Sequence, residues 1–106
     1  MSNQPNKAAG LSLSTLQWLV NAKRDTVRAA ESARVRARAE GDAKRLRIID
    51  ENLVGVRFDL AETLLLLSMK RRDAGDHQGA LDAARLFAEQ EHLAKTTRDQ
   101  LAGVSA

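Results

Sequence analysis

Glu89-Gln-Glu-His92 sets a carboxylate and an imidazole three residues apart. On a helix that spacing puts both groups on one face, the arrangement by which ferritin-like proteins hold paired iron ions. The pattern occurs once, so a complete site would need symmetry-related copies of the chain, with Glu62 available as an additional bridging carboxylate. The expected role is therefore exposed polar decoration of a helix, with no metal and no cofactor. His77 reads as a surface residue early in another helix. Ser12, Ser14, Ser32 and Ser68 lack the local setting of a hydrolase nucleophile, and no glycine-rich loop follows a strand. The chain has no cysteine, which removes disulfides, thiolate metal sites and thiol nucleophiles. An enzyme is not expected.

Charge offers a second kind of chemistry. Arg34, Arg36, Arg38, Lys44, Arg45 and Arg47 place six cations within fourteen residues, enough to follow a phosphate backbone, and arginine suits bidentate phosphate contact. Glu40 and Asp42 interrupt the run, and no aromatic is interleaved to stack on bases. Nucleic-acid binding through Arg34–Arg47 is thus the alternative reading. A solvated or ion-paired surface is the first reading of the cluster, and within a protein-interaction role Arg34, Arg38 and Arg45 would steer an acidic partner. Residues 1–50 carry ten Lys/Arg against five Asp/Glu, and residues 51–106 seven against nine, so the net charge of +3 is concentrated in the front half.

The elements that must position these groups are helical. One proline, six glycines and three aromatics leave little of the vocabulary a sheet needs, while Ala, Leu, Arg and Glu favour helix. Residues 1–11 read as a flexible polar tail and 12–106 as a single all-α domain, a three-helix antiparallel arrangement around a long central helix. Ser14-Thr-Leu-Gln17 fits a capping box with Leu13 stapled onto Trp18, which starts the first helix near Thr15. Its apolar face runs through Leu16, Leu19, Val20, Val27 and Ala30. The same phase then brings in Arg34 and Arg38, so residues 34–40 are expected to leave the core whether or not the helix continues through them. Gly41 and Asp42 stop that helix and cap the next; one bent helix through this point is the alternative.

The second helix, 43–72, organises the rest. Leu46, Ile49, Leu53, Val56, Leu60, Leu64 and Leu67 form a seam at spacings of three and four. Val54, Phe58, Ala61, Leu65 and Met69 fall on another side of the same rod. Gly55 inside it implies a close neighbour or a bend. Gly75 and Asp76 make the next turn, and the third helix, 77–101, is expected to turn Ala80, Leu81, Ala84, Phe87, Ala88, Ala94 and Leu101 inward. Two companions cannot readily cover both oily sides of one rod. A homodimer through Val54, Phe58, Leu65 and Met69, or a protein partner there, is the consequence drawn. The polar N-terminus and short apolar runs give neither a leader nor a membrane span, so the expected setting is the cytoplasm, without membrane contact.

Leu67-Ser68, Gly75-Asp76 and Ala80-Leu81 resemble the middle of a tetratricopeptide repeat, over about one helical hairpin. Ala84 stands where that family usually places a large aromatic, and the closing proline is missing, so the hairpin carries no inherited binding groove. In length, absence of cysteine, Ala/Arg/Leu-rich composition and the oily helix 46–69, the whole chain is similar to the small QslA-type quorum-sensing anti-activators of bacteria. That resemblance implies a dimer that sequesters a LuxR-type transcription factor and blocks its dimerisation. The functional expectation is a small regulatory protein-interaction module that binds and inhibits a partner.

Overall fold

The computed structural model describes residues 10–103. It consists of α1 (Leu13–Ala39), α2 (Ala43–Asp73) and α3 (His77–Leu101), with no strand among the described residues. Of the expected tail, residues 1–9 lie outside the described residues, while Leu11 is half-buried against the core.

Both turns use one device. Gly41 and Gly75 adopt φ of 69° and 85°, the left-handed region that only glycine enters without steric cost. Asp42 N–H then donates to the Ala37 carbonyl and Asp76 N–H to that of Arg71 (3.0 and 2.8 Å), which closes each preceding helix in a Schellman motif. The same aspartates open the next helix: Asp42 Oδ1 accepts from Arg45 N–H at 3.0 Å and Asp76 Oδ1 from Gly79 N–H at 2.9 Å. A Gly-Asp pair therefore ends one helix and begins another without spending a residue on linker.

α1 starts two residues earlier than its capping-box pattern suggests. Ser12, not Ser14, is the cap, its Oγ accepting from Thr15 N–H at 3.2 Å. This puts Leu11 and buried Leu16 in the two positions of a hydrophobic staple, whereas Leu13 and Trp18 are both exposed.

α2 packs extensively on both companions, which barely touch each other. Gln17, Lys23, Glu31 and Arg34 of α1 meet Arg71, Asp59, Arg57 and Asp50 of α2, an ascending series against a descending one. Arg71, Ser68, Arg57 and Arg47 of α2 likewise meet Gly79, Ala80, Gln90 and Leu101 of α3. The core holds Leu16, Val20 and Val27 from α1, Leu53, Leu60, Leu64 and Leu67 from α2, and Ala83 from α3. Each buried Leu or Val removes enough apolar surface from water to favour folding by about 1.5–3 kcal/mol. Ile49 and Val56 complete the expected seam from half-buried positions, and Leu46 is half-buried beside the first turn.

Three expectations need correction. Residues 34–39, the last turns of α1, stay against α2 and do not leave the core: Ala37 is fully buried, and Arg34 reaches Asp50 at 2.6 Å. A small side chain and an acidic partner keep in place a segment that polarity alone would expel. Gly55 has no neighbour within 4 Å of where a Cβ would stand, and α2 runs unbroken through it, so no close approach within the chain explains it. On α3 the inward row is Ala80, Ala83, Phe87, Gln90 and Ala94, whereas Leu81 and Ala88 face out. In the phase set by Ala80, Ala83, Phe87 and Ala94, Leu81 falls about 100° or more off the inward row.

Candidate functional site

α3 covers the side of α2 on which Ala61 lies, and Ala61 is fully buried. Val54 and Phe58 are half-buried there, with the Arg98 guanidinium carbon 5.6 Å from the Phe58 ring centre. That is cation–π distance, so α3 itself contributes a charged cover to this aromatic. One and two turns further along, the cover ends. Leu65 and Met69 are 40% and 44% exposed. Ser68 and Arg72 share their helix face, and with His77, Ala80, Leu81 and Ala84 they line a groove of about 330 Å³ between α2 and α3. Leu81 is 54% exposed on the opposite wall. Short alanines make the floor, and Ser68 Oγ donates to the Ala80 carbonyl at 2.8 Å, which satisfies its hydroxyl and holds the two walls together.

The four expected interface residues thus divide. Val54 and Phe58 are largely used inside the chain, while Leu65 and Met69 stay open, as does Leu81 on α3. Leu81 escaped the sequence reading because it was placed inward. Its signal was available in the 3.6-residue phase set by Ala80, Ala83 and Phe87.

The basic cluster lies elsewhere. Arg45 and Leu65 are twenty residues apart on one helix, about 30 Å at the rise of an α-helix. Arg34 is half-buried on Asp50, Arg45 lies 3.4 Å from Glu40, and Arg47 lies 3.5 Å from Glu51. Arg36, Arg38 and Lys44 are exposed with no ion pair among the described residues. The six cations therefore flank the first turn in sequence, half of them beside carboxylates.

Glu89 borders the space between α1 and α3, and His92 is exposed. Among the described residues no group of three or more His, Cys, Asp or Glu side chains lies close enough together to hold a metal ion. No described helix is long and apolar enough to cross a membrane.

Arg57, which the sequence reading passed over, is the one arginine buried within the core, at 8% exposure. It donates to Glu31 of α1 at 2.6 Å and to Gln90 of α3 at 2.9 Å. Its position was legible: Leu53, Arg57, Leu60 and Leu64 share one seam, so a cation in that phase must be buried or paired. Comparison with protein-family models, curated proteins and solved structures finds no match, so the meaning of these surfaces rests on their own chemistry.

Proposed function

We propose that this chain is a small antiparallel three-helix regulatory module that captures a partner protein on its α2/α3 face and inhibits it by covering a surface the partner needs for its own assembly. In the free protein a second copy covers the same face, giving a homodimer. The observation that carries this reading is the exposure of Leu65 and Met69 on the α2 face that carries Ser68 and Arg72, which line an alanine-floored groove with Leu81. Clustered apolar side chains beside a groove supply anchors of the sort that dominate interface affinity. Arg38 and Arg45, remote from the anchors, act on the rate of encounter through long-range attraction, and Arg34 contributes little because Asp50 neutralises it.

The resemblance to quorum-sensing anti-activators makes the ligand-binding domain of a LuxR-type transcription factor the first partner to test, in a bacterial cytoplasm. Leu65→Asp combined with Met69→Asp is expected to abolish capture of that domain while the helical circular dichroism is unchanged, because both positions are partly solvated. Equal capture by the folded double variant would sink the reading. Binding of unrelated DNA that weakens steeply with salt and is lost in Arg36→Ala/Arg38→Ala/Lys44→Ala would instead favour the nucleic-acid alternative.

A further inference from the structure

α1 and α3 both pack on α2 yet hardly meet, so a trough runs between them with α2 as its floor. Two openings, of about 210 and 330 Å³, share Glu31, Arg57 and Leu93 as common lining. Arg57 is thus both a buried tie and part of an accessible wall. A guanidinium has five N–H donors; among the described residues two of them reach protein acceptors, Glu31 and Gln90. Glu31 is 48% exposed at its side chain, so its carboxylate sits where another can compete with it.

The surroundings select the competitor. The first opening is walled by Arg24 and Arg28 and floored by Val27 and Leu60. Arg24 has no ion pair among the described residues, and Arg28 makes only an exposed contact of 3.5 Å with Asp25. The second opening offers Leu53 and Val35, with Val35 67% exposed. With Arg34 held by Asp50, the trough presents Arg24, Arg28 and Arg57 against Glu31 and Glu89. An acidic, amphipathic surface fits this, and a helix fits the shape, since one laid over the trough completes a four-helix bundle. Residues 1–9, MSNQPNKAA, contain no acidic side chain and cannot supply it.

We propose that the α1/α3 trough docks an acidic amphipathic helix of a partner protein, one carboxylate of which replaces Glu31 on Arg57 while leucine-sized side chains enter the two openings. This surface is separate from the α2/α3 face and does not depend on it. The test uses the full chain and a fluorescein-labelled helical peptide with leucines at i, i+3 and i+4 and glutamates between them, followed by anisotropy and amide chemical shifts. Wild type is expected to bind, with shifts at Arg24, Arg28, Val35 and Leu93. Glu31→Gln removes the internal competitor and is expected to tighten binding roughly fivefold or more, a direction that a purely structural Glu31 would not produce. Arg24→Glu/Arg28→Glu, at a half-buried and an exposed position, should weaken it at least about tenfold with the helical circular dichroism unchanged, the scale of losing a desolvated charge pair. Absence of binding at millimolar peptide to wild type and Glu31→Gln alike would overturn the proposal. So would equal affinity across all three proteins, or shifts confined to Leu65, Met69 and Leu81.

Discussion

At Arg57 a single side chain links three helices, and its burial sets how costly its loss is. Arg57→Ala leaves Gln90 without its donor and a cavity among Leu53 and Leu60, while Glu31 can turn to water. The expected cost is about 2 kcal/mol, below the usual range for breaking a fully buried pair because one partner is half-exposed; urea unfolding measures it. Gly79 is the other residue with a sharp expectation. A Cβ there would collide with the Asp76 carboxylate that caps α3. Gly79→Ala should therefore lose about 1 kcal/mol as the Asp76 carboxylate is displaced from the cap, which offsets the similar gain in helix propensity and leaves stability nearly unchanged. An increase in melting temperature would show that the cap does not hold α3. Neither residue stands out by composition. Arg57 becomes visible only once the seam phase is drawn through it, and the Gly79 constraint depends on an aspartate rotamer that no pattern specifies.

At the level of elements, α2 explains why so much of the fold could be read from the chain. Its seam keeps phase over twenty residues, and each end is marked by a Gly-Asp pair, so α2 and α3 were placed to within a residue of their ends. The start of α1 was misplaced because two serines compete as caps, and the winner is the one that also seats Leu11 against the core. The run after Ala30 was misjudged because ion pairing with Asp50 depends on a neighbour that periodicity within one helix cannot see. Two substitutions separate core from surface on α2. Leu64→Ala, at a fully buried position, should cost about 2–5 kcal/mol. Gly55→Ala, with open space around it, should stabilise the chain by about 0.5–1 kcal/mol. If Gly55→Ala instead lowers stability in a concentration-dependent way, a second molecule approaches α2 closely at that point.

For the molecule as a whole, two faces remain after the three helices have covered what they can. One is the apolar end of α2 and α3, reduced from the expected four-residue stripe to Leu65 and Met69 because α3 takes Ala61 inside and Arg98 lies over Phe58. The other is the cationic trough between α1 and α3, which no single helix announces because each contributes only one wall. The sequence marked an oily excess on α2; where that excess surfaces depends on how α3 rolls against it. Self-association through the remaining apolar face is the central claim, and sedimentation equilibrium tests it most directly. The wild-type chain is predicted to run at twice its 11.6 kDa mass at high micromolar concentration, and the folded Leu65→Asp/Met69→Asp variant at 11.6 kDa. A wild-type mass of 11.6 kDa across that range, or a double variant that still pairs, would contradict it.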